Sequence, residues 1–524
     1  MAHIRNPLDP YHPIIYVRGY AMTDGAMEAT VNTPYMGFNE GSTRIRQQHD
    51  RSYQHYIFES PLIRLMKEYG YQDAYLAGLN LAEPTVQAES DLTDAALPPR
   101  CVIIHRYYES AAPETQGQSA RSAIPEAARR LSRLIARVKT LVEKHPDAAK
   151  RPFKVYLVAH SMGGLICRCL LQNQQCDEAD VAQYVDKVFT YGTPHNGIEM
   201  LGMNVPRVLG LMDINNFNRA RMADYLDCPL REGRIDHLNE RFPESRFFCL
   251  VGTNPQDYNA TRWFVEKASD GLVTIDNAVI QGAPRAFSYT SHSGPFGMVN
   301  SREGYDNLVR FLFGDFTLML RMVPEVIPLA PGIRRAYDNN AQVRGSYYFE
   351  CSAYVRGNDP VPLSARRVEH RSAIFRTFDE LLRPENVGLS APRFPVLASI
   401  FLDSRRIEVG KTMVLAVDIE VSSTDFRIDG VGISAQRVPN ERLFRQQCVL
   451  KITLDDDAAR IRYLDGDEQW GDARGRDVEN DDQGSYIPIR NKKGFNARLY
   501  IDLSPWNTDV STYRSGENYR MIRG

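Results

Sequence analysis

Phe153-Lys-Val-Tyr-Leu-Val-Ala-His-Ser-Met-Gly-Gly164 decides the fold of this chain. Val155 to Val158 is a short apolar run rich in β-branched residues, which reads as a strand buried on both faces of a parallel sheet. Ala159-His-Ser-Met-Gly163 follows at once, and Leu165 to Leu171 can form a helix. A strand running straight into a helix forces a tight turn with Ser161 at its apex. Strand and helix backbones crowd there, so small residues are needed two before and two after the serine. Gly163 meets that need, and Ala159 stands where glycine is more usual. The hydroxyl at such an apex projects above the sheet, and the amide of Met162 can donate to an oxyanion.

Working outward, further buried strands are expected at Pro13 to Tyr20, Cys101 to His105, Val185 to Tyr191, Arg246 to Val251 and Arg285 to Tyr289. Between them lie helical patterns. Ser60-Pro61 followed by Leu62, Leu65, Met66 and Tyr69, and closed by Gly70, is a punctuated helix. From Ile124 to Val142 the apolar positions keep a sustained helical face. Tyr305, Leu308, Val309 and Leu312, closed by Gly314, make a last one. Residues 21 to 50, rich in Gly, Asn, Thr and Met, read as a long loop. Alternating strands and helices from about 12 to 314 predict a doubly wound α/β domain with a mostly parallel sheet.

Beyond residue 314 the pattern changes. Residues 321–344 carry prolines and read as a linker between a catalytic domain over 1–320 and a β-rich accessory domain over 345–524. In the latter, apolar residues recur with period two: Tyr347 to Val355, Leu415 to Val421, Cys448 to Leu454 and Ala497 to Leu503. That alternation predicts a mostly antiparallel, sandwich-like β domain with one short helix near 373–382. The acidic clusters at 455–457, 465–467 and 480–482 lack the spacing of a calcium loop and read as solvated turns.

The bulk properties narrow the function classes. The chain has 524 residues, 43% hydrophobic and 24% charged, and a net charge of −2. Nothing in that balance favours nucleic acid or an anionic surface by bulk attraction. Eight cysteines are scattered without the spacing of a zinc site, several inside apolar runs, which suits reduced buried thiols. The N-terminus shows no apolar signal region, and no run of about 18 apolar residues occurs. A cytoplasmic location is the default expectation, and leaderless export would look the same.

A serine hydroxyl needs a base to take its proton, and the base needs an orienting carboxylate. The order expected in this fold is nucleophile, acid, histidine. Only His292 and His370 follow the plausible acids. His292 is chosen because it lies just past the last predicted strand. Asp270, in Ala268-Ser-Asp-Gly-Leu-Val-Thr274, is the chosen acid, with Asp257 and Asp276 as rivals. His160 is expected to face away from the cleft, and His195 to serve either the cleft or a turn. The glycine ending the first strand, Gly19, lets the Tyr20 amide point into a cleft as a second oxyanion donor, or is an ordinary strand-to-loop glycine.

Three motifs, Ala-His-Ser-Met-Gly-Gly at 159–164, Gly-Thr-Pro-His-Asn-Gly at 192–197 and Ser-Asp-Gly-Leu-Val at 269–273, together resemble the bacterial lipase branch of the α/β-hydrolases. The resemblance covers about residues 12–314. It implies a Ser161–His292–Asp270 triad and an oxyanion hole from the amides of Tyr20 and Met162. The first strand ends Arg18-Gly19 where that family usually has His-Gly.

Residues 198–240 come where such enzymes insert a cap. Their first part is dense in Ile, Leu, Val and Met, Leu209 and Met212 included, which suits an acyl-chain pocket or lid, or equally a buried helix pair. The expected function is hydrolysis of carboxylic esters, lipid esters above all, with no cofactor and no metal required. The partners are an ester substrate and transiently a membrane. A leaderless phospholipase effector, or a binding protein whose β domain carries the function, are the competing readings.

Overall fold

The computed structural model describes residues 10–19, 32–47, 53–74, 96–105, 124–150, 152–200, 203–204, 217–255, 269–355, 372–387, 394–407, 410–428, 436–454, 459–465 and 475–507. The chain divides into two compact units. One comprises Tyr11–Arg285 and Thr290–Leu308; the other comprises Met1–Pro10, Ala286–Tyr289 and Val309–Gly524.

The α/β part of the chain is built on a seven-stranded sheet whose central strands are apolar on both faces. The strands are β1 (Ile14–Arg18), β4 (Gln72–Asp73), β5 (Cys101–Ile104), β6 (Val155–His160), β7 (Val185–Tyr191), β10 (Phe247–Gly252) and β11 (Arg285–Ser288). They lie in the order β11-β10-β7-β6-β1-β5-β4. Every neighbouring pair from β10 to β4 runs parallel. All six residues of β6 are buried, as a central parallel strand requires. Two small antiparallel pairs complete the strands of this half: β2 (Ser42–Gln47) with β3 (Tyr53–Phe58), and β8 (Glu199–Met200) with β9 (Met203–Asn204).

Helices follow where the sequence pattern put them. The first, α1 (Pro61–Tyr69), starts on its proline and ends at Gly70 with φ 68°, a left-handed stop that glycine accepts without penalty. The long α2 (Ile124–Glu143) buries its apolar face, including Leu131, Ile135 and Val138. After the serine comes α3 (Met162–Gln172), buried throughout. Then come α4 (Arg219–Leu226) and α5 (Arg302–Phe313). This is a doubly wound α/β core of the hydrolase type.

The segment read as a long loop at 21–50 is in part regular, because β2 occupies 42–47. Ile45, its one apolar residue, stands between Arg44 and Arg46, so the strand shows no period-two apolar run.

The second unit is antiparallel β. One sheet has five strands in the order β16 (Val396–Leu402), β12 (Phe316–Val326), β25 (Asn496–Pro505), β24 (Gly484–Arg490) and β23 (Glu479–Asp481). A second has six, in the order β15 (Ile374–Thr377), β14 (Ser346–Val355), β17 (Thr412–Ser423), β20 (Arg442–Leu454), β21 (Ala459–Asp465) and β22 (Arg476–Asp477). A third joins β13 (Val343–Arg344), β18 (Phe426–Ile428) and β19 (Gln436–Val438). The period-two positions Leu415, Val417, Ile419 and Val421 are buried, as are Cys448, Leu450 and Ile452.

The stretch expected to link two domains, 321–344, is largely regular. It holds the end of β12, then α6 (Pro331–Asp338), then β13. Pro324 sits at the irregular end of β12, where the register to β25 shifts, and so leaves the ladder intact up to that point. The helical stretch near 373–382 divides into β15 and a short α7 (Phe378–Leu382) capped by Thr377 and Glu380. Asp481, in the acidic cluster 480–482, is the last residue of β23 and accepts from Arg498 Nη1 at 2.6 Å and Tyr500 Oη at 2.7 Å. All eight cysteines are buried and none is in a disulfide. Among the described residues no helix is long and apolar enough to cross a membrane.

Candidate active site

The turn between β6 and α3 holds Ser161 at φ 55°, ψ −129°. A non-glycine residue there is strained by about 1–3 kcal/mol, which the surrounding bonds must hold in place. The Ser161 amide donates to Tyr191 O at 2.9 Å, and the Thr193 hydroxyl donates to Ser161 O at 2.8 Å. The next strand and the Gly192–Gly197 loop thus clamp the turn from both sides.

Crowding at this turn sets the residue types. A Cβ on Gly163 would lie 2.0 Å from Val17 O, and one on Gly19 would lie 2.5 Å from the Met162 amide nitrogen. Both positions therefore exclude even alanine. Gly19 N donates to His160 O at 2.8 Å. The end of β1 is thereby laid against the start of α3, beside the Met162 amide. Tyr20, expected to give the second amide, lies outside the described residues.

His292 stands on the segment after β11. Its Nε2 is 3.0 Å from Ser161 Oγ, and its Nδ1 is 2.8 Å from Asp270 Oδ2. Its own amide donates to Asp270 O at 2.9 Å, so backbone and side chain are both tied to the acid's turn. Asp270 in turn accepts the amides of Leu272 and Val273 on Oδ1, at 2.9 and 2.8 Å. An Asp-Gly-Leu-Val turn offers those amides because the carboxylate folds back over its own next residues. One carboxylate oxygen is therefore occupied by backbone and the other is left to orient the imidazole. Asp270 and His292 are buried, and Ser161 is 8% exposed.

Sequence reasoning thus named three residues that the fold gathers within hydrogen-bond reach, from positions 109 residues (270 − 161) and 22 residues (292 − 270) apart in the chain. The rival Asp276 is exposed, its carbonyl accepting from Arg234. Asp257, His370, Leu209 and Met212 lie outside the described residues.

His160 departs from expectation. Rather than facing away, its Nε2 lies 2.8 Å from His292 O, and the two rings are 4.8 Å apart. An imidazole beside a carbonyl donates, so His160 Nε2 carries the proton. Burial, with the Arg18 cation and His292 nearby, holds His160 well below the usual imidazole range and therefore neutral. Arg18 is itself held near Phe38, its guanidinium carbon 5.5 Å from the ring centre. His195 takes the turn role: it is fully buried, with Nε2 3.2 Å from Thr190 Oγ1.

Arg168, on α3, escaped the sequence reading. It is fully buried, and its guanidinium donates to the carbonyls of His195, Ile235 and His237 at 2.7–2.9 Å and to Gln172 Oε1. Its charge was the available signal, since an arginine inside an otherwise apolar helix calls for partners. The partners come from loops distant in sequence and could not be named.

Residues 120–206 match the family model described as the PGAP1-like alpha/beta domain. That span includes β6, Ser161 and α3 and ends before Asp270 and His292. No curated protein matches the chain significantly. Among solved structures, a gene product of Listeria innocua is 13% identical with a TM-score of 0.25, over 58% of this chain and 94% of its own. A protein described as a cell surface hydrolase of Lactobacillus plantarum is 13% identical with a TM-score of 0.23, over 58% and 90%. Phospholipase PlaB from Legionella pneumophila is 11% identical with a TM-score of 0.28, over 78% and 85%. The fold assignment stands on the strand order and the strand–serine–helix turn. Over the part of the chain that carries them, the protein is α/β-hydrolase-like.

Proposed function

We propose that the chain is a serine hydrolase of carboxylic esters, with lipid esters as the substrate class. The observation that carries this is the contiguous relay Ser161 Oγ, His292 Nε2, His292 Nδ1, Asp270 Oδ2, with gaps of 3.0 and 2.8 Å. His292 takes the Ser161 proton as Oγ attacks the acyl carbonyl. Asp270 stabilises the imidazolium that forms. The Met162 amide, at the start of α3, meets the developing oxyanion, and the Tyr20 amide is assigned as its second donor. His292 then returns the proton to the leaving alcohol, which departs from an acyl-Ser161 ester. Water, deprotonated by the same imidazole, releases the acid and restores the hydroxyl.

The preference for lipid esters rests on the apolar composition of the stretch after Gly197. Each acyl methylene buried there contributes about 0.8 kcal/mol. A panel of esters of rising acyl length, phospholipids included, tests the assignment on wild type and Ser161→Ala. Turnover that rises with chain length and vanishes with Ser161→Ala is expected. A flat profile removes the lipid class, and turnover that survives Ser161→Ala removes the mechanism.

A further inference from the structure

The β2–β3 ribbon has two unlike faces. Its pairing runs from Ser42 opposite Phe58 to Gln47 opposite Tyr53. Residues directly opposite in an antiparallel pair point to the same side. Ser42, Arg44, Tyr56 and Phe58 therefore share the inward face; Ser42, Tyr56 and Phe58 are buried, while Arg44 is exposed. Thr43, Ile45 and Gln47 share the outward face with Tyr53, His55 and Ile57, and all six are exposed. Among them Ile45 is 52%, Tyr53 66% and Ile57 59% exposed. A two-stranded ribbon is marginal on its own, so an outward face with three large apolar side chains is unusual in water.

The inward face fixes where this surface sits. Ser42 Oγ donates to Pro295 O at 2.9 Å, and the Tyr56 ring lies 4.9 Å from that of Phe296. Glu40 N donates to Asn300 Oδ1 at 3.1 Å, and Asn300 Nδ2 donates to Gly37 O at 2.8 Å. Phe296 O in turn accepts from the amide of Ser291, next to His292. The ribbon is thus seated on the segment that follows the proposed catalytic histidine, with its apolar side turned outward.

We propose that the outward face of this ribbon docks the protein onto a lipid surface. This rests on the lipid-ester reading above. Two observations select a lipid surface over a protein partner. A standard protein interface needs about 800 Å² from each partner, and six residues of one ribbon fall far short of that. Tyr53 joins an apolar ring to a polar tip, the side-chain type that settles at a bilayer–water boundary.

The test uses the full chain carrying Ser161→Ala, sedimented with phosphatidylcholine vesicles. The chain should sediment with the vesicles. Ile45→Thr, Tyr53→Ser and Ile57→Thr should each weaken that binding about three- to tenfold, as expected for taking a half-exposed apolar side chain out of a lipid contact. In the Ser161-bearing chain, the three apolar substitutions together should leave turnover of a water-soluble short-chain ester unchanged and slow turnover of esters presented in vesicles. Unchanged vesicle binding by the triple variant overturns the proposal. So does a change of oligomeric state in place of a change in vesicle binding. A chain that binds vesicles through the ribbon but turns over no ester keeps the docking surface and removes the ester-hydrolase reading instead.

Discussion

Asp270 shows how one residue is placed by its neighbours in sequence and used by a neighbour in space. Its Oδ1 is held by the amides of Leu272 and Val273, which leaves Oδ2 for His292 Nδ1. Asp270→Asn keeps the size and the backbone acceptor. It removes the charge that stabilises the imidazolium, and it can hold the wrong tautomer. We expect kcat/KM on esters to fall about 10³- to 10⁴-fold, with an unchanged circular dichroism spectrum. A loss below tenfold would mean that another carboxylate orients His292. Ser161→Ala and His292→Ala should lose similar activity and show no further loss when combined, because the pair acts as a unit. Ser161, Asp270 and His292 were legible in the sequence because turn chemistry, strand order and elimination all bear on them. His160 was not, because its partner is the backbone carbonyl of residue 292, and pattern reading does not reach across 132 positions.

At the scale of elements, α3 is the hub. Its first turn abuts β1 through Gly163, and its middle is fixed by Arg168. The guanidinium satisfies three carbonyls from two loops, one of them the His195 carbonyl in the Gly192–Gly197 loop that clamps Ser161. Arg168→Met keeps the stem volume and leaves those acceptors buried and unpaired. Stability should fall by about 3 kcal/mol in urea denaturation, and ester turnover should drop with it as the clamp loosens. A stability change within about 0.5 kcal/mol would show the network to be dispensable. The elements themselves were largely readable from periodicity: β6, β7 and β10 as continuous apolar runs, and α2 as an amphipathic face. The β2–β3 ribbon was not, because its outward face breaks the rule that strands bury their apolar side.

For the molecule as a whole, the first unit carries several imidazoles that are neutral when folded. Burial lowers His105 to about 4, the Ala127 carbonyl opposing and the Arg130 charge adding to the shift. His160 and His195 are lowered in the same direction by burial. Between about pH 6.5 and 4 the unfolded chain binds the His105 proton and the folded chain does not. Stability is therefore full above about pH 6.5 and declines as pH falls toward 4, by about 2 kcal/mol at pH 5 from His105 alone. The urea midpoint should drop between pH 7 and pH 5. His105→Gln, which keeps a donor near the Ala127 carbonyl, should flatten part of that drop. An equally steep drop in the variant would place the titration elsewhere.

The sequence by itself determined the local geometry and the class of fold. A buried strand entering a helix through Ala-x-Ser-x-Gly has one way to turn, and period two after residue 345 has one sheet geometry to satisfy. It also limited the histidine of the site to two candidates. Only the tertiary structure decided that Ser161, His292 and Asp270 meet within 3.0 Å, that His160 turns toward the site, and that 321–326 belongs to a sheet where prolines suggested a linker. The physical reason is the range of the forces. Backbone sterics and side-chain period act over a few residues and are written in the order of the chain. Hydrogen bonds between residues more than a hundred positions apart depend on where the packed core places them.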